Sequence, residues 1–320
     1  MQSPQVCPVC RAGAVAVEQQ DSQIERELEI RSCFVKQRLG HKPSVSESMD
    51  LTRFMHGGPA RFVQCVSCGT LLREEDCRAQ YEADLYDSAL MRHLYPRYLR
   101  AFQEKQSTYY PLLRNGAEVL EVGSHLGGFL QAAEEWGWRP TGVDIGHCTS
   151  AFARKQGATV KRISLENYSP RLRNPEAIFI WNCFEQLEDP VSELQTAHRL
   201  LDRHGLLVVR VPNAAFYREQ RRRIQSDMPG RSLKLLAYNN LLGFPYLHGY
   251  TSNSLHRLLR ANRFEPVATR ASSLLTPPYP DVTRTVRNEW REVQEQSESS
   301  AAAGTVGPWI EIISRRVAAI

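Results

Sequence analysis

From about residue 116 onward the chain alternates short apolar runs with amphipathic stretches. GAEVLEVGS is a near-continuous apolar run that predicts a buried strand, and GGFLQAAEEWG carries apolar residues at helical spacing up to Gly137. RPTGVDIG then predicts a second strand and TSAFARKQGA a second helix. TVKRIS is a third short strand, AIFIWNC a strongly apolar fourth, DPVSELQTAHRLLD an amphipathic helix, and GLLVVRVPN a fifth strand. The series resumes with the helix TSNSLHRLLRANRF, the strand EPVATRAS and a last strand, PWIEIISRR. Strands alternating with helices of this length predict an α/β fold whose parallel sheet is covered by helices on both faces.

Elsewhere the rhythm differs. Between Tyr81 and Leu113 apolar and aromatic residues (Leu90, Leu94, Tyr98, Leu99, Phe102) follow helical spacing, and Asn115-Gly116 stops the pattern. Residues 214–246 and 276–306 are too long for ordinary connections and are read as insertions, the first folding over the ligand-binding edge of the sheet. The first 78 residues hold two cysteine pairs with a polar, irregular stretch between them, HKPSVSES reading as a loop. The expected division is therefore 1–78 and 79–320, without internal repeats.

A chain of 320 residues, 42% of them hydrophobic, can build one large core and a small appended domain. No apolar stretch reaches the roughly eighteen residues that a membrane helix needs. The start, MQSPQVCPVCRAG, lacks the layout of a signal peptide, so the expected location is the cytoplasm. The net charge of +5 is modest and argues against a dedicated nucleic-acid binder. Arg221-Arg222-Arg223 is the densest basic run and reads as a solvated helix face, with a clamp for an anionic substrate as the alternative.

Four of the eight cysteines form two C-x-x-C pairs, Cys7/Cys10 and Cys65/Cys68. Four thiolates can close a tetrahedral zinc site, and a closed site is structural rather than catalytic. Its binding energy would help fold a segment without a core of its own. A redox dithiol and a protein contact surface are the other readings. Cys33, Cys77, Cys148 and Cys183 are scattered and read as buried thiols.

The most informative run is VLEVGSHLGGFL, residues 119–130. It ends the first strand with an acid and glycines just before a helix, at the edge where doubly wound sheets bind ligands. Its spacing, E-x-G-x-x-x-G, is not the G-x-G-x-x-G that aims a helix N-terminus at a pyrophosphate. Glu121 would repel a pyrophosphate but suits a cationic ligand with an amino group and a sulfonium. This argues against a nicotinamide-dependent oxidoreductase. Asp144 ends the second strand about twenty residues later, where a carboxylate can accept from both hydroxyls of a ribose.

With these residues in view, the chain resembles the class I methyltransferases, in particular a bacterial group whose catalytic domain follows a cysteine-paired zinc segment. VLEVGSHLGGFL, GVDIG, the run from ISLENY through AIFIWNCFEQLEDP to LLDRHGLLVVRVPN, and HGYTSNSLHRLLRANRFEP carry the likeness. It implies a Rossmann-like, doubly wound sheet of seven strands, mostly parallel, with an antiparallel last hairpin, beside the zinc domain. It implies S-adenosylmethionine as cofactor, with Glu121, Gly123, Ser124, His125 and Gly127 lining its methionine part and Phe129 packed beneath. Asp144 would hold the ribose, Ile145 would lie against the adenine, and Leu165 and Glu166 would edge that ring. Asn182 and Cys183 would lie beside the sulfonium. One of Tyr86, Tyr95 and Tyr98 would approach the cofactor carboxylate. Many relatives carry Glu-His after the fourth strand, but this chain has Glu185-Gln186, and a glutamine cannot take a proton at neutral pH.

The implied reaction is direct displacement, with the nucleophile held in line with the breaking bond. His248 is the first candidate for a base and Tyr250 the second. Tyr217, Arg218 and Tyr246 are candidate lining residues. The expected partner is a small-molecule acceptor: a sugar, a natural product or a carrier-bound intermediate. Methylation of protein or RNA, and a non-catalytic scaffold with a degenerate fold, are the alternatives.

Overall fold

The computed structural model describes residues 6–16, 62–73, 88–170, 173–224, 229–239, 246–272, 284–302 and 307–318. The large sheet has seven strands: β4 (Glu118–Val122), β5 (Arg139–Val143), β6 (Val160–Lys161), β7 (Ala177–Trp181), β8 (Leu206–Pro212), β10 (Phe264–Ser272) and β11 (Trp309–Arg316). Their order is β10-β11-β8-β7-β4-β5-β6. β4 pairs in parallel with both β5 and β7, and β7 with β8. The order reverses between β4 and β7, which opens a crevice at their carboxyl ends. The expected mostly parallel sheet with an antiparallel hairpin at β10 and β11 is what is seen.

The helices follow from the sequence with corrections. The helix expected over 81–113 is α1 (Ser88–Gln103), followed by short helical turns. α2 (Gly128–Glu135), α3 (His147–Lys155) and α4 (Pro190–Leu200) connect the strands. Asp189 caps α4 by accepting from the backbone N–H groups of Val191 (3.1 Å) and Ser192 (3.0 Å), with Pro190 in the first turn where its missing donor is harmless. The predicted strand TVKRIS shrinks to the two residues of β6. The insertions, which showed no readable pattern, contain α5 (Ala214–Ile224), α6 (Pro229–Asn239) and α8 (Arg284–Ala302); α7 (Ser252–Ala261) lies between them.

The chain divides into two compact units. One comprises residues 1–80, 211–257 and 270–311; the other comprises 81–210, 258–269 and 312–320. Both insertions, 214–246 and 276–306, fall in the same unit as the N-terminal segment.

The second unit is built on β4, β5 and β7. Phe129, Phe179, Trp181, Trp136, Trp138 and Tyr109 form an aromatic core on its sheet. The first unit has its own four-stranded sheet, β1 (Ala14–Ala16), β2 (Phe62–Cys65), β3 (Leu71–Arg73) and β9 (His248–Gly249), in the order β1-β2-β3-β9. Phe62 and Leu71 of this sheet pack with Ala214, Tyr217, Leu236 and Tyr246 into a second core. Among the described residues no helix is long and apolar enough to cross a membrane.

Candidate functional site

In the second unit, the ends of β4, β5 and β7 assemble the crevice residues. Gly123 follows β4 with φ +70°, a conformation that strains side-chain-bearing residues, and a Cβ here would lie 2.6 Å from the Cys183 Sγ. The first glycine of the run is thus needed both for its turn and for the close approach of β7. Gly127 serves packing: a Cβ on it would meet Ala153 and Ala158 at 3.1 and 3.2 Å. Ser124 is buried with its hydroxyl facing Gly142, and its backbone is engaged in the turn, its N–H donating to the Val143 carbonyl (3.2 Å) and its carbonyl accepting from the Gly127 N–H (2.8 Å).

Asp144 is the organiser of the crevice. Its Oδ2 accepts from the His125 backbone N–H (2.7 Å), and its Oδ1 accepts from the Gly146 backbone N–H (2.7 Å) and the Thr149 hydroxyl (3.2 Å). Burial raises its pKa, and these three hydrogen bonds oppose the rise. His125 itself has a left-handed backbone, φ +48°, and its ring lies edge-on to Tyr98 at 5.5 Å. Burial lowers the His125 pKa to about 4, so the ring is neutral at pH 7.

Glu121 is 3% exposed, and burial, followed by the Asp144 charge, raises its pKa well above the carboxylate range. Its Oε2 has no hydrogen-bond partner among the described residues. A buried acid left unsatisfied beside a second acid is a costly arrangement that a cationic ligand would relieve.

At the end of β7, Asn182 also has a left-handed backbone, φ +51°. It is held on three sides. Its N–H donates to the Arg210 carbonyl (3.0 Å), its side-chain oxygen accepts from the Arg210 guanidinium, and its carbonyl accepts from the Gln186 amide (2.8 Å). Gln186, which stands where relatives were expected to have histidine, therefore uses its donor to fix Asn182. The Cys183 thiol is pushed well up by burial first and by Glu185 next.

Sequence reasoning missed Arg210 and Glu185 as members of this cluster. The signal was a lone arginine inside the apolar strand LLVVRVP, and it is 4% exposed. Burial pushes Glu185 up to about 8, against its own backbone N–H and the Arg210 charge. A carboxyl whose folded pKa lies above its unfolded value holds the fold best while protonated. That contribution is complete below about pH 4.5 and is lost as pH rises through about 8. Glu185→Gln is therefore expected to match the parent's stability near pH 4 and exceed it progressively towards pH 8.5, in urea unfolding followed across that range.

The remaining predicted cofactor residues are spread differently. Ile145 follows Asp144 and is 60% exposed. Leu165 and Glu166 lie in a 3₁₀ turn after β6, the first buried and the second exposed. Phe129 needs correction: it is fully enclosed by Phe102, Phe179, Trp136 and Trp181 and offers no surface to a ligand. It is a core residue. Tyr95 packs on Phe152 instead, and Tyr86 lies outside the described residues, as do Cys33 and Cys77.

The first unit holds the other candidates. Cys7, Cys10, Cys65 and Cys68 have their sulfurs within 4.8 Å of one another, with Cys7 to Cys68 at 3.6 Å and Cys10 to Cys65 at 3.3 Å. Zn–S bonds of about 2.3 Å in a tetrahedron put sulfurs roughly 3.8 Å apart, so the cluster fits such an ion. Each knuckle closes in the same way: the residue after its second cysteine, Arg11 or Gly69, has a left-handed backbone and donates its N–H to the carbonyl of the first. His248 is buried in β9 beside Tyr250, ring centroids 5.8 Å apart. Its Nδ1 has no hydrogen-bond partner among the described residues, and burial lowers its pKa to about 4. Tyr217 and Tyr246 belong to the core of this unit.

Residues 91–269, more than half of the chain, match the profile of a methyltransferase domain. The structure is similar to a chain from the complex between the Haloferax volcanii Trm112 methyltransferase activator and a methyltransferase, at 14% identity and a TM-score of 0.50, covering 72% of this chain and 95% of that one. A SAM-dependent methyltransferase from Thermotoga maritima is 14% identical over 71% of this chain and 95% of its own, with a TM-score of 0.44. The plantazolicin methyltransferase BpumL, solved with a pentazolic desmethylPZN analogue and SAH, is 12% identical over 93% and 100%, with a TM-score of 0.45. At these identities the likeness is one of fold. No curated protein matches the sequence.

Proposed function

Since this chain belongs to the class I S-adenosylmethionine-dependent methyltransferases, we propose that it transfers a methyl group to a small-molecule acceptor by direct displacement. The observation that carries the reading is the acidic crevice at the switch point: Glu121 with an unsatisfied carboxylate oxygen, Asp144 nearby, and the Gly123 turn that keeps the backbone low. This chemistry suits a ligand bearing an amino group, a sulfonium and a ribose. Glu121 and the backbone from Gly123 to His125 would take the methionine part, Tyr98 would stand beside them, and Asp144 would take the ribose. Ile145 and Leu165 would flank the adenine.

When bound, S-adenosylmethionine supplies a methyl group activated by its positive sulfur. The protein's own task is then alignment. Asn182, fixed by Arg210 and Gln186, presents a rigid edge at the end of β7. His248 is neutral at pH 7 with its Nδ1 unpartnered among the described residues, and as the proposed base it would take the acceptor proton only as the methyl group transfers, because burial disfavours the free imidazolium. The four thiolates would hold a structural zinc ion, which closes the first unit and leaves no open position for chemistry.

Native mass spectrometry and calorimetric titration with S-adenosylhomocysteine test the reading together. Retained or added cofactor binding to the second unit supports an enzyme, whereas no measurable affinity would favour a scaffold. Asp144→Asn should raise the dissociation constant roughly 10- to 100-fold, the worth of about one or two charge-assisted hydrogen bonds. An unchanged constant would remove Asp144 from the site.

A further inference from the structure

The sheet that carries the cysteine knuckles also carries His248. β2 ends at Cys65, β3 follows the second knuckle, and β9 pairs with β3 through Leu71 to Gly249 and Leu72 to His248. Beyond this short pairing, Arg73 ties the two segments through both its backbone and its side chain. Arg73 is 8% exposed, its N–H donates to the Leu247 carbonyl (3.0 Å), and its Nε donates to the Tyr246 carbonyl (2.9 Å). Its guanidinium also lies over the Phe62 ring at 4.9 Å, on β2. Tyr250, just after β9, then receives the Ala214 N–H at 2.8 Å and so carries the link into α5.

We propose that Arg73 is a positioning residue for the acceptor side of the reaction, holding the 246–250 segment to the metal-knuckle sheet so that loading of the four-cysteine site fixes His248. The inference rests on the reading of His248 as the acceptor's base. Two-residue β9 contributes too few backbone bonds to hold its register alone. A planar guanidinium stacked on the Phe62 ring with a directed Nε–H to the Tyr246 carbonyl supplies the missing constraint, and the compact, freely rotating ammonium of lysine does not hold that planar geometry. Apolar contacts of Phe62 and Leu71 with Tyr217 and Tyr246 complete the clamp. Glu121 and Asp144 belong to the other unit, so the strands that carry them serve as the internal control for an effect of the metal confined to the first unit.

Hydrogen exchange and ring NMR on the full chain decide it. Stripping the metal with a chelator should make the amides of residues 71–73 and 247–250 exchange at least about tenfold faster and should shift the ring carbon-proton signal of His248, assigned with His248→Gln. Protection of residues 118–122 and 177–181 should stay within about twofold. Arg73→Lys, with metal retained, should reproduce the loss at 247–250 and the His248 shift while the metal content stays unchanged. Arg73→Met serves as a second variant that keeps the stem over Phe62. Metal release with protection at 247–250 unaltered would overturn the coupling. An unshifted His248 signal in both Arg73 variants would overturn the assignment of Arg73. Protein isolated under reducing conditions without metal would sink the zinc reading, and the Arg73 variants would then decide the positioning role by themselves.

Discussion

Gly123→Ala is expected to cost about 3 kcal/mol and to abolish measurable cofactor binding. Two effects add. A Cβ at φ +70° is worth about 1–2 kcal/mol of backbone strain, and its approach to within 2.6 Å of the Cys183 Sγ and 2.9 Å of the Cys183 Cβ adds an overpacking cost of about 1–3 kcal/mol. Thermal unfolding should show the midpoint falling by roughly 4–5 °C. The two contributions can be separated. Cys183→Gly in the same chain removes both clashing atoms, so the double variant should recover the packing share and keep the strain. Recovery of all the lost stability would mean that the backbone at 123 is not strained. A Gly123→Ala protein with parental stability and parental affinity for S-adenosylhomocysteine would remove this turn from the cofactor site.

Cys10→Ser with Cys65→Ser should remove the metal altogether and open the first unit. Structural zinc sites in short peptides bind with roughly 10–16 kcal/mol, and most of that energy is folding energy. Elemental analysis of the parent should give one zinc ion per chain, and the double variant should give none. Limited proteolysis should then cut within 1–78 at least about tenfold faster. Calorimetry with S-adenosylhomocysteine should still detect binding, because the crevice residues lie in the other unit. Equal zinc content in parent and variant would show that these sulfurs are not the ligands.

The two results bear on how the sequence encodes the site. The run VLEVGSHLGGFL could be read because each residue acts locally: Glu121 ends a strand, Gly123 makes the turn, and Gly127 starts a helix. The cysteine pairs could be read for the same reason, since each knuckle closes on its own backbone. Phe129 was misplaced because an aromatic at the start of a helix reads the same whether it faces a ligand or a core; only the surrounding Phe102, Phe179 and Trp181 decide. Gln186 looked like a lost base, and only the fold shows its amide committed to the Asn182 carbonyl.

By itself the sequence determined the alternation of strands and helices, the class of sheet, the acidic glycine turn and the two cysteine pairs. Those features depend on periodicity and on neighbours a few residues apart, which a linear chain displays directly. The tertiary structure decided the rest. It paired FVQC with LLR across the second knuckle and then added His248, about 175 residues later, as the next strand. It buried Arg210 beside Glu185 and Asn182, and it set Arg73 against the carbonyl of Tyr246. Such contacts join segments distant in the chain, and their partners are chosen by packing and by the need to satisfy buried polar groups, neither of which leaves a periodic trace in sequence.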